Sequence, residues 1–257
     1  MENPSVTNLP VTQPPFPRDA IAALADRHRR ANGPVVRLVN RFGGKLEQQM
    51  AALPPSIRDQ ILRSVEKALS ASYAVATQTD RFRDPGPKGR LAAAIATGAI
   101  GGAGGLASAL AELPATVTLI LAAIRAEARA AGFDPNDPDI RAECLRIFGS
   151  GGPLEDDDGL NTSFLSARLT LTGPAIQKVI ATVAPRIATA LGQKLAAQSI
   201  PILGALSGAA LNATFLDYYK EVAAIRFGLL RLAQTHPEAE VLAEFKAQVA
   251  KPVVKRA

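Results

Sequence analysis

The stretch Leu91–Ala111, LAAAIATGAIGGAGGLASALA, decides how this chain is read. It carries no charged residue, and its glycines fall at helical spacing: Gly98 and Gly102 are four apart, as are Gly101 and Gly105. Residues four apart share a helix face, and a face without side chains lets two backbones approach closely. A quieter copy lies at Leu195–Leu216, where Gly204, Gly208 and Asn212 are also four apart. Alanine-rich runs and an aromatic content of only 5% favour helix over sheet. The fold class expected is all-α, a multi-helix bundle around the glycine-rich helix and the second small-residue helix.

Outward from that centre the chain reads as one helical domain over 19–250, with a proline-rich arm at 1–18 and a basic tail at 251–257. Asp19 suits the start of a first helix, and Pro54-Pro55 opens another whose Ile57, Ile61, Leu62, Val65, Leu69 and Tyr73 recur at threes and fours. The run DRFRDPGPKGR, Asp80–Arg90, reads as a break. Pro114 is expected to kink or split the apolar segment 91–124. Asp137-Pro138 is a helix start, with Ile140, Cys144, Ile147 and Phe148 on the buried face. Further helices are expected over 162–172, 174–184, 185–199 and 201–234, and Thr235-His236-Pro237-Glu238 has the spacing of a capping box.

Charge is unevenly placed. Residues 1–90 hold 14 Lys/Arg and 8 Asp/Glu, a difference of +6, whereas residues 91–257 hold 15 of each. The whole net charge of +6 therefore precedes the glycine-rich segment, with Arg81, Arg83, Lys88 and Arg90 directly before it. Cations beside an apolar segment are attracted to anionic headgroups, at about 1 kcal/mol each near the surface. These four are candidates for a membrane surface, against the plainer reading of a solvated arginine face. No nucleic-acid motif or aromatic interleaving accompanies them. The single Cys144 and an N-terminus unlike a secretory signal suit a cytoplasmic location, peripheral to the inner membrane face.

Length alone would let Leu91–Ala111 span a bilayer, which takes about 20 apolar residues. Its strongly apolar members are only Leu91, Ile95, Ile100, Leu106 and Leu110, and Glu112 follows at once. A hairpin within the protein is therefore favoured over conditional membrane association, and both over a permanent span.

Residues able to do chemistry are few. Glu112, followed by Pro114, is a carboxylate in an apolar helix; it must be ionised and paired, or neutral. Asn212 is a neutral partner for it, and a ligand cavity is the functional alternative. Glu155–Asp158 lacks the alternation of a calcium loop, so no metal is expected. Residues 102–107 satisfy a relaxed dinucleotide fingerprint without the strand it requires, so no cofactor is expected. His28, His236, Ser108, Ser207 and Cys144 lie where packing or backbone bonding explains them, and the reading leans against an enzyme.

Three segments resemble the EcsC family. They are TGAIGGAGGLASALAELPATVTLILAAI (Thr97–Ile124), AGFDPNDPDIRAECLRIFGSGG (Ala131–Gly152) and AAQSIPILGALSGAALNATFLDYYKEVA (Ala196–Ala223). They stand in the family's order within roughly 55–235. The resemblance implies an uncharacterised, mainly bacterial protein whose name-giving member is encoded beside an ABC transporter; a transporter partner follows from the resemblance alone. It also implies Arg168 as a charged partner for Glu112. Phe164 stands where the family would have Tyr, and Asn161-Thr162 replaces a more acidic pair. The function expected is a non-enzymatic accessory protein at the cytoplasmic membrane face; the alternative is a soluble binding protein for an apolar or lipid-like ligand. Oligomeric state is open.

Overall fold

Apolar side chains at threes and fours line Pro55–Ala76, and in the computed structural model this stretch is helical with Ile61, Val65 and Leu69 buried. The structure describes residues 15–31, 54–76, 86–103, 105–150, 179–189, 191 and 204–250. Among them are eight helices and no strand: α1 (Arg18–Ala31), α2 (Pro55–Ala76), α3 (Gly86–Ala103), α4 (Gly105–Ala130), α5 (Pro138–Phe148), α6 (179–189), α7 (Gly204–Leu232) and α8 (Glu238–Ala250). The all-α bundle read from the sequence is the fold.

Helices α4 and α7 are its spine. Leu113, Val117, Ile120 and Ile124 of α4 join Phe215, Tyr219, Val222 and Phe227 of α7 in one core, which α2, α5 and α6 complete. Tyr219 stacks edge-on against Phe148 of α5, ring centroids 4.9 Å apart. A smaller cluster ties the ends of the chain together: Ile21 and Ala25 of α1 meet Ile225 and Leu229 of α7 and Val241 and Phe245 of α8. Helix α3 lies against both α4 and α7, its most extensive partner being α7.

Several local expectations need correction. The run before Arg90 is not wholly a break, because α3 begins at Gly86 (φ +73°) with Pro87 next. Proline fits a first helical turn, where its missing N–H has no partner to lose. The apolar segment is not split at Pro114, which lies inside α4; α3 ends at Ala103 and α4 begins at Gly105, in the glycine-rich run. Likewise α6 continues through Pro185, whose carbonyl accepts from the Thr189 hydroxyl at 3.0 Å. A proline removes only one backbone donor, and packing on both sides of it holds the helix. The Thr235 hydroxyl does not cap α8: it donates to the Leu232 carbonyl at 3.3 Å, at the end of α7. Asp137 does cap α5, accepting from the amides of Asp139 at 2.9 Å and Ile140 at 3.3 Å.

A charged tie joins the terminal helix to the spine. Arg27 of α1 grips the Glu221 carboxylate of α7 from Nε at 2.8 Å and Nη2 at 3.3 Å. Burial opposes ionisation of Glu221, but the Arg27 bonds and the charges of Arg27 and Lys220 outweigh it and hold the carboxyl below its ordinary 4.5. The tie is thus fully present above that ordinary value and is lost as pH falls through the lowered one. Glu221→Gln should lower neutral-pH stability by less than about 1 kcal/mol, since Arg27 stays partly exposed. Urea melts over a series of pH values check this: the two proteins should differ at pH 7, and the difference should shrink as pH falls below 4.5.

Candidate functional site

The inner face of α3 is made of small and polar residues, and it meets one polar cluster. Helical turns place Ala94, Thr97, Gly98 and Gly101 toward α4 and α7, and Ala94, Gly98 and Gly101 are buried. Glu112 of α4 and Asn212 of α7 point into the same seam, 7% and 3% exposed. The Asn212 amide donates to the Glu112 carboxylate, to the Ala94 carbonyl at 3.0 Å and to the Thr97 hydroxyl at 3.2 Å. Thr116, one turn beyond Glu112, donates its hydroxyl to the same carboxylate oxygen at 2.8 Å. One amide thus links three helices. A buried carboxylate needs such donors, since without them its desolvation goes uncompensated.

The glycines make room for this cluster. A Cβ on Gly98 would lie 2.3 Å from the Gly208 carbonyl oxygen and 2.8 Å from Asn212 Nδ2. A Cβ on Gly101 would lie 1.9 Å from Glu112 Oε2. Gly98 therefore admits the α7 backbone, and Gly101 seats the α4 carboxylate. The space at both positions is filled by the protein's own atoms.

Of the residues singled out in the sequence, the structure brings together Glu112, Asn212, Gly98, Gly101 and Gly208. Gly102 lies in α3, Gly105 opens α4 and Gly204 opens α7, but their surroundings fall outside the described residues. So do Arg168, Arg81, Arg83 and the acidic run 155–158. Pro114, midway between Glu112 and Thr116 in sequence, is exposed and so faces away from the cluster. Lys88 is exposed, whereas Arg90, placed with it at the surface by the sequence, is only 5% exposed. Arg90 is buried in α3, and its charge joins those of Arg27 and Lys220 in easing down the Glu127 carboxyl, which burial raises.

Thr97 and Thr116 were not foreseen; their signal was position, one turn from Ala94 or Gly101 and from Glu112. A second buried polar group also escaped the sequence. Glu143 of α5, 6% exposed, is bound by Arg226 of α7 and by Arg146 Nη1 at 3.1 Å. Ser108 donates to the Ile100 carbonyl at 2.9 Å, joining α4 to α3 as a packing residue would. Cys144 is 2% exposed, and burial pushes its thiol up to about 12. Thiolate is the reactive form, so this one is inert. Among the described residues no three His, Cys, Asp or Glu side chains converge to hold a metal ion. No helix there is long and apolar enough to cross a membrane.

An all-α bundle with a glycine-faced helix, seated on a buried Glu–Asn–Thr cluster, is the class that fold and site define. The chain belongs to the EcsC protein family, whose model matches residues 19–231. Helix α8 thus lies beyond the matched region, although it packs on α1 and α7 within it. Among curated proteins and among solved structures nothing matches the chain.

Proposed function

We propose that this protein is a non-enzymatic accessory protein that associates peripherally with the cytoplasmic face of a membrane. One observation supports this above others: α3 is turned inside out. Its large apolar side chains point to solvent, Leu91 42%, Ile95 43% and Ile100 69% exposed, while glycine, alanine and threonine face the protein. Water-soluble packing puts large apolar groups inward; helices that meet lipid turn them outward and pack through small residues and hydrogen bonds. The same helix carries the exposed Lys88 and no acid. A link to transport is proposed from the family resemblance alone.

Co-sedimentation with lipid vesicles tests the reading. The full chain should pellet with vesicles containing anionic lipid and be partly released by salt, because the electrostatic part is screened. Ile100→Asp, at a position that is already exposed, should leave thermal stability unchanged. It should weaken vesicle binding on the order of tenfold or more, from the apolar area lost and the charge introduced. No pelleting of the unaltered chain at low salt would overturn the reading.

A further inference from the structure

Resting on that peripheral reading, we propose that α3 lies flat in the headgroup layer of an anionic bilayer, with its seam to α4 and α7 closed. Only the outer face would enter the acyl boundary. The shape of the exposed surface argues for this. Leu91, Ala92, Ile95, Ala96 and Ile100 are exposed and Ala99 half-buried. At about 100° per residue they cover roughly half the circumference of the helix, and at 1.5 Å per residue they run about 14 Å along it. That is the side of a rod and not its tip. An interfacial helix presents such a side, sunk about 5–10 Å.

The seam argues that the helix docks as it stands. Opening α3 away from α7 would strip the Asn212 amide of the Ala94 carbonyl and the Thr97 hydroxyl. It would also lift the cover from Glu112, whose carboxylate rests where Gly101 lacks a side chain. In hydrocarbon those groups would find no water to replace their bonds. The inserted alternative, a hairpin released from the bundle, is opposed by the very groups that hold it.

The occupant is a lipid surface on grounds of charge and chemistry. From Leu91 to Ile100 the outer face offers no hydrogen-bonding side chain, whereas a protein partner meets a rim of such groups. The exposed Lys88 stands one turn before Leu91, there is no Asp or Glu in α3, and the positive excess of the whole chain lies within residues 1–90. Between Ala111 and Thr118 of α4 the exposed positions, Ala111, Pro114, Ala115 and Thr118, are likewise uncharged.

Single-cysteine probes read the geometry directly. Native Cys144, 2% exposed with its thiol near 12, stays unlabelled in the folded chain. Leu91→Cys, Ile95→Cys and Ile100→Cys each receive a polarity-sensitive fluorophore, with Ala243→Cys on α8 as the control. Vesicles of phosphatidylcholine and phosphatidylglycerol carry quenchers at shallow or deep acyl positions. All three α3 probes should shift to the blue and be quenched to within about twofold of one another, more by the shallow quencher; the α8 probe should do neither. Hydrogen exchange over 91–101 should stay as slow on vesicles as in water. Depth rising steadily from 91 to 100 overturns the flat orientation, and faster exchange overturns the closed seam. Pelleting without any α3 shift overturns this proposal and leaves the peripheral reading standing, as does equal binding to purely phosphatidylcholine vesicles. Failure to pellet at all removes both.

Discussion

Gly98→Ala is expected to lower stability by about 3 kcal/mol, near the top of the range for an overpacked interior. The added methyl would meet the Gly208 carbonyl oxygen at 2.3 Å and its carbon at 2.7 Å, in place of an ordinary contact of about 3.4 Å or more. Backbone sits on both sides of the clash, so no rotamer can relieve it. The helices must part by about an ångström, and the Asn212 amide loses its reach to α3. At roughly 2–4 °C per kcal/mol for a domain of this size, the melting temperature should drop by about 6–12 °C. Thermal unfolding followed by circular dichroism checks it; an unchanged midpoint would mean that α3 and α7 do not meet at Gly98.

Gly101→Ala makes a useful contrast, because its clash is with a side chain. The methyl would take the place of Glu112 Oε2 and so turn the carboxylate, disturbing the bonds that its other oxygen, Oε1, accepts from Asn212 and Thr116. Removing the carboxylate removes the clash, so Glu112→Ala and Gly101→Ala together should cost less than the sum of the two alone. Gly98→Ala and Glu112→Ala share Asn212 but not that collision, and their coupling should be weaker.

How much of this could be read from the sequence differs by residue. Four-residue glycine spacing announced close backbone contact, and Gly98 with Gly208 is that contact. Asn212 was readable as a neutral partner of Glu112 because it continues the glycine register of its own helix. The sequence could not say that Gly98 and Gly101, three apart, serve two different neighbours, since that depends on where α4 and α7 stand. Nor could it say which way α3 faces. Leu91, Ile95 and Ile100 look like core residues in any hydrophobicity count, and only the seam, already filled by Ala94, Thr97 and the glycines, turns them outward. Arg90 erred in the opposite direction, because an arginine beside a break reads as solvated, whereas the helix already begins at Gly86 and its turn buries Arg90. Buried charges are the hardest class. Their partners lie far off in sequence, and each of them alone looks like surface.

Glu143 and Arg226 are the clearest instance, 83 residues apart and 6% exposed each. Glu143 accepts from both Arg226 and Arg146, and so is the hub on which two cations converge. Replacing one partner of a buried ion pair leaves the other desolvated and uncompensated, at a cost of about 3–5 kcal/mol. Glu143→Ala should fall in that range, since it leaves two arginines facing each other between α5 and α7. Arg226→Met should cost less, about 1–3 kcal/mol, because Arg146 remains to hold the carboxylate and methionine refills the apolar part of the space. Both changes in one chain should then be milder than their sum by at least about 1 kcal/mol, a coupling measurable by a double-mutant cycle in urea. Strict additivity would show that the two groups do not interact in solution. A larger loss for Arg226→Met than for Glu143→Ala would show that Arg226 stabilises the fold through more than Glu143. The outcome bears on function through α7, whose opposite end carries Gly208 and Asn212. If the α5 tie fixes α7 against the core, loosening it should leave the exposed face of α3 intact while lowering the stability of the platform beneath it.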